Sequence, residues 1–106
     1  MRIVHIAAHQ DDEAWALGTL LKYKAAGGNE ILFVCTTNGD KGLAFHPEVD
    51  LSEAARTRDA EMRAVADALD ADYTCLGAED EFLYDGKEVR LALIDELRRF
   101  DAELVF

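Results

Sequence analysis

The sequence predicts an α/β domain of three layers around a mainly parallel sheet. Three observations carry that expectation. Short apolar runs alternate with longer stretches whose apolar residues recur at helical spacing. The run at 30–36 (E-I-L-F-V-C-T) is nearly continuous in apolar residues, as a parallel strand covered on both faces is. Glycines and one polar loop mark most of the changes of period.

Taken in order, residues 3–8 form a first apolar run and a first strand. Residues 12–26 place Ala16, Leu17, Leu20, Leu21 and Tyr23 on a helical stripe, and Gly27-Gly28 stops it with residues tolerant of positive φ. The second strand, 30–36, leads into a polar loop at 37–50 that contains Asn38-Gly39, Gly42 and the single proline, Pro47. Ser52, with an acid at Glu53, reads as the N-cap of a second helix reaching about residue 70, with Ala55, Met62, Val65, Ala66 and Leu69 as its apolar stripe. A third strand follows at 72–76. An acidic loop spans 77–86, with a short extended piece expected at 82–84. A third helix covers 87–100, and a fourth strand occupies 102–106. The order β-α-β-α-β-α-β implies right-handed crossovers and a Rossmann-like architecture. In such sheets ligands sit at the carboxyl ends of the strands, so the segments after Ile6, Thr36, Leu76 and Phe106 should surround one site.

Composition narrows the function classes. A chain of 106 residues, half of them hydrophobic and 31% charged, fits one globular domain over residues 1–106. Twenty-two acids stand against eleven bases, a net charge of −11, which disfavours binding to nucleic acid or to anionic membranes. No apolar run approaches the roughly 18 residues of a membrane span. The first residues lack the apolar core of a signal peptide, so a cytoplasmic protein is expected. Cys35 and Cys75 lie in apolar runs without C-x-x-C spacing and are expected as reduced, buried thiols.

The chemistry gathers where the first strand meets the next turn, in Ala7-Ala8-His9-Gln10-Asp11-Asp12-Glu13. His9 and Asp12 are spaced H-x-x-D, and an imidazole nitrogen and a carboxylate oxygen from one tight turn can reach a single cation such as zinc. Asp11 between them can instead face a water as a base. Acids here would also favour a helix N-terminus, but that accounts for one or two of them and not for a histidine with three. Neither G-x-G-x-x-G nor G-x-x-x-x-G-K-[ST] is present, which disfavours a dinucleotide or P-loop site. Thr36-Thr37-Asn38-Gly39-Asp40-Lys41-Gly42 closes the second strand with glycines that let the backbone approach a ligand.

A-H-Q-D-D-E, then T-N-G-D-K-G, then R-x-x-E at Arg58 and Glu61 occur in this order and spacing. Together they resemble the PIG-L / LmbE-like family of metal-dependent N-deacetylases, of whose usual domain these residues correspond to the N-terminal half. Gln10 stands where that family usually has proline. The resemblance implies that His9 and Asp12 bind Zn2+ or another divalent metal, and that Asp11 is the catalytic base activating the attacking water. It implies a small N-acetylated amino-sugar substrate and the products acetate and a free amine. Arg58 becomes a candidate for binding a substrate oxygen, the alternative being a helix-face ion pair with Asp59 or Glu61. Glu13 is expected to support the site from behind the ligands. His5 is expected as a strand histidine and His46 as a solvated or substrate-side residue. Asp80 and Asp85 follow the third strand, within reach of the mouth of the site, but a solvated acidic loop is the favoured reading for both.

The family's third motif, H-x-x-H, follows the fourth strand, and this sequence ends at Phe106 before it. The expectation is a domain truncated there, binding zinc weakly by itself. Leu104, Val105 and Phe106 would form an unprotected apolar edge, so the chain alone is expected to lack deacetylase activity and to associate or aggregate, a homo-oligomer being one form of that association. Two rival readings are a magnesium-binding phosphoacceptor receiver module, with Asp11-Asp12 as its acid pair, and a non-catalytic remnant. The receiver needs an acid at the end of the third strand, where Cys75-Leu76-Gly77 stands, and gives His9 no role.

Overall fold

A computed structural model describes residues 1–43 and 45–106; Ala44, inside the loop expected at 37–50, lies outside the described residues. The chain runs β1 (Arg2–Ala7), α1 (Leu17–Ala26), β2 (Glu30–Thr37), α2 (Leu51–Ala68), β3 (Asp72–Ala78), α3 (Lys87–Phe100) and β4 (Leu104–Val105). The strands form one sheet in the order β3-β2-β1-β4, and every pairing is parallel.

Alternation along the central strands divides the core. Ile3 and Ala7 of β1 and Ile31, Phe33 and Cys35 of β2 pack with Leu20 of α1 and with Met62 and Ala66 of α2. Val4, Leu32 and Val34 point the other way and pack against Phe100 of α3. Two helices thus cover one face and one helix covers the other, which is the expected three-layer arrangement. Phe33 is 1% exposed at the centre of the larger cluster. Phe33→Ala should destabilise the domain by about 3–5 kcal/mol through lost burial and the void left behind. The check is a lowered urea midpoint with an unchanged slope.

His5 is a buried strand histidine, as expected, with its ring edge against its β1–β2 register partner Phe33. Burial pulls its pKa below the ordinary imidazole value, and the charge of Asp12 opposes that shift only in part. The unfolded chain therefore takes up this proton at higher pH than the native one. The stability tied to neutral His5 is complete above about pH 6.5 and declines as the pH falls below it. His5→Gln should remove this share of the acid sensitivity, measured as the difference between the two proteins' urea midpoints across that range.

Beyond shifts of one or two residues at the ends of β1, β2 and β4, several boundaries differ from the sequence-based expectation. The first helix does not begin at residue 12: Asp12–Trp15 is a separate 3-10 turn, and α1 starts at Leu17. The Asp12 carboxylate accepts the backbone N–H of His9 at 3.0 Å, closing the turn that precedes it. The N-cap of α2 is Asp50, not Ser52, because Asp50 Oδ1 accepts the N–H of Glu53 at 2.8 Å. That helix ends at Ala68, and Asp70 takes a φ of 49°. β3 continues to Ala78, whose carbonyl accepts the N–H of Asn38. Residues 82–84 form no strand, since no backbone ladder reaches them.

The expected apolar edge is also partly corrected. Val105 and Phe106 are about half exposed, but Leu104 packs against the core cluster of α1 and α2. The strand order further rules out the receiver reading. Receiver-like sheets run 2-1-3-4-5, whereas here β1 separates β2 from β4 in the other doubly wound order. That arrangement puts the crevice at the carboxyl end of β1, where chain direction across the sheet reverses.

Candidate active site

β1 delivers Ala7, Ala8 and His9 to that crevice, and β2 fixes their backbone. Thr36 Oγ1 donates to the Ala7 carbonyl (3.2 Å), Thr37 Oγ1 to that of Ala8 (2.7 Å) and Cys35 Sγ to that of His9 (3.4 Å). Three successive side chains of β2 thus hold three successive carbonyls, from the last residue of β1 into the turn. Gln10 is buried and donates through Nε2 to the Thr37 carbonyl at 3.1 Å. The residue replacing the family's proline therefore anchors the turn from its side chain. Burial pushes the Cys35 thiol up to about 12, helped by Cys75 and by the carboxylates of Glu13 and Asp12. Cys35 is accordingly a protonated donor in support of the turn, and both cysteines are free thiols.

His9, Asp11 and Asp12 each offer one potential ligand atom, and these atoms lie within 4.8 Å of one another. The His9 ring lies between two acids. Its Nδ1 is 3.6 Å from Asp12 Oδ2, and its Nε2 is 2.7 Å from Asp80 Oδ1. One imidazole nitrogen and two carboxylates at this spacing suit zinc or a similar divalent cation. Asp11 is the exposed member, and its Oδ1 forms an ion pair with Arg58 Nη2 at 3.0 Å.

Arg58 makes neither of the ion pairs considered for it on its own helix. Asp59 pairs with Arg63 instead, at 2.8 Å. The Arg58 side chain is 11% exposed and reaches from α2 across to Asp11 and the Gly39 carbonyl. The T-N-G-D-K-G loop forms its bed. A Cβ on Gly42 would stand 1.9 Å from Arg58 Nη1, and one on Gly39, whose φ is +65°, would stand 2.2 Å from Gln10 Oε1. Glycine at these two positions is what lets the guanidinium and the Gln10 amide lie under the loop.

Asp80 corrects the sequence reading most. It is not a solvated loop acid: it is buried, and its Oδ1 accepts from the Glu81 backbone N–H at 2.9 Å as well as meeting His9. Glu81, at φ 68°, turns the chain directly after it. Burial by itself would raise the Asp80 carboxyl. The bond and charge of His9, the Glu81 N–H and the charge of Arg58 outweigh it and hold the group below the ordinary carboxylate value. The legible signal was position, an acid just past the carboxyl end of β3. Its inward orientation is a tertiary property.

The other candidates divide simply. Asp85 is exposed and paired with Arg90, as expected of a solvated loop acid. His46 is exposed and faces Glu48 at 3.2 Å. Glu13 is buried, with one carboxylate oxygen lacking a hydrogen-bond partner among the described residues. A cleft of about 390 Å³ opens over the cluster, lined by His9, Asp11, Lys41, Gly42, Arg58 and Asp80 with Glu81. A second hollow of about 270 Å³ shares its His9 and Asp80 wall and adds Ala8, Thr37 and Leu83. A larger hollow, among Lys24, Asn29, Asp67, Asp70 and Asp72, lies at the amino ends of β2 and β3, away from this chemistry.

Comparison with known proteins decides the family. The model of PIG-L, described as GlcNAc-PI de-N-acetylase, matches residues 4–106. The chain belongs to the PIG-L family. Its fold is shared with several solved structures. N,N'-diacetylchitobiose deacetylase from Pyrococcus horikoshii is 28% identical with a TM-score of 0.88, over 99% of this chain and 39% of that one. The 4-carboxy-2-hydroxymuconate hydratase of Pseudomonas putida is 26% identical with a TM-score of 0.86, over 98% and 45%. A conserved protein of Thermus thermophilus is 31% identical with a TM-score of 0.77, over 98% and 44%. This PIG-L chain therefore spans less than half the length of these structures. Among its described residues, no helix is long and apolar enough to cross a membrane.

Proposed function

We propose that this chain carries the water-activating half of a metal-dependent N-deacetylase acting on an N-acetylated amino-sugar conjugate. The observation that carries the reading is the cluster of His9, Asp11 and Asp12 at the carboxyl end of β1, facing the cleft that Arg58 also lines. His9 and Asp12 would hold the cation. When bound, zinc or another divalent ion polarises an acyl carbonyl and makes a water acidic enough to attack at neutral pH. Asp11, exposed to the cleft, accepts the proton of the attacking water and is oriented by Arg58. Arg58, held on its glycine bed, also has a second role open to it, donating to a substrate oxygen in the cleft. Zinc in a catalytic site takes three protein ligands. Two come from this turn, and the family's H-x-x-H, absent from the 106 residues, is the source we infer for the third.

A second reading has one observation in its favour. The hydratase among the structural relatives is about as similar to this chain as the chitobiose deacetylase is. The same base and cation could direct water to an activated carbon–carbon double bond. Proton NMR separates the two. A metal-supplemented protein of the relatives' length should release acetate and free amine in equal amounts from an N-acetylated amino sugar. Hydration of an unsaturated acid with no acetate release would favour the second reading.

A further inference from the structure

We propose that Asp80 is a positioning residue for His9, fixing which imidazole nitrogen is left bare toward Asp12. The proposal rests on the reading of His9 as a metal ligand. The backbone of His9 is held at both ends, its N–H by Asp12 and its carbonyl by Cys35. Its ring is then held at the far nitrogen, with Nε2 2.7 Å from Asp80 Oδ1. An ionised carboxylate only accepts hydrogen bonds, so a neutral His9 must donate from Nε2, which leaves the Nδ1 lone pair free. Nδ1 faces Asp12 Oδ2, the other candidate ligand of the H-x-x-D turn, at 3.6 Å, outside hydrogen-bond range. Asp80 can impose this because it does not move freely. Its side chain is 8% exposed, and Oδ1 is also tied to the Glu81 N–H. A carboxylate on the outer nitrogen of a ligating histidine sets the tautomer and raises the basicity of the inner one.

The test uses the 106-residue chain and zinc alone. Long-range proton–nitrogen spectra of the metal-free chain, above the ordinary imidazole range, should show His9 protonated at Nε2 and bare at Nδ1. In Asp80→Ala the two tautomers should mix, and zinc affinity by calorimetric titration should fall about 10- to 100-fold. Asp80→Asn has nearly the same volume and an amide oxygen that still accepts from Nε2–H. It should keep the tautomer and lose a smaller part of the affinity. Native zinc affinity in Asp80→Ala, whatever the tautomer, would overturn the role. Should Asp80→Ala fail to fold, Asp80→Leu, close in size and with no acceptor for Nε2–H, takes its place, and native zinc affinity in it overturns the role. A His9→Ala chain that binds zinc as tightly as the native one overturns instead the ligand reading on which the role rests.

Discussion

Asp11→Asn should lower acetate release by about 10²-fold or more while leaving zinc content unchanged. The substitution removes the proton-accepting charge and little else. Asp11 is exposed, and an asparagine of nearly the same volume takes the place of the carboxylate 3.0 Å from Arg58 Nη2. The fold should not notice the change, so an unchanged urea midpoint is part of the expected result. Steady-state kinetics and metal analysis on the same sample check it. Loss of zinc together with activity would make Asp11 a ligand and not a base. Near-native turnover would take the proton-accepting role away from it.

His9→Ala and Asp12→Ala should each weaken zinc binding by on the order of 100-fold or more, beyond the effect of losing a supporting carboxylate. The two variants should differ in metal-free stability. Asp12→Ala removes the acceptor of the His9 N–H, a single bond worth about 1 kcal/mol. His9→Ala leaves the buried Asp80 carboxylate with the Glu81 N–H as its remaining partner, a loss of about 1–3 kcal/mol. Calorimetric titration and urea denaturation of each metal-free variant measure the two effects separately. Native zinc affinity in both would remove the turn from the metal site.

What the sequence made legible follows from periodicity. β1 and β2 alternate faces across a sheet buried on both sides, and α3 keeps the bounds expected of it, Lys87–Phe100. The H-x-x-D turn was legible because its residues are neighbours in sequence. Other features depended on contacts that no period encodes. The 3-10 turn at Asp12–Trp15 breaks a stretch whose apolar spacing reads as one continuous helix. Asp50 and Ser52 are both good caps two residues apart, and the choice turns on which oxygen meets the Glu53 N–H. From spacing alone Arg58 reads as a helix-surface residue, and only the resemblance makes it a candidate; the packing of α2 against the glycine loop is what carries its guanidinium to Asp11. Asp80 reads as a loop acid until the turn at Glu81 directs it inward onto His9. Spacing made visible the part of the site contributed by one segment, and not the contacts made where two segments meet.

The proposed function needs one cation in the turn between the His9 ring and the Asp12 carboxylate. Anomalous diffraction recorded on both sides of the zinc absorption edge, from crystals grown with zinc, locates the ion without reference to activity. A strong peak is expected within bonding distance of His9 Nδ1 and an Asp12 oxygen, with Asp80 still on Nε2. A zinc peak bound elsewhere on the chain, with none at this turn, would contradict that function.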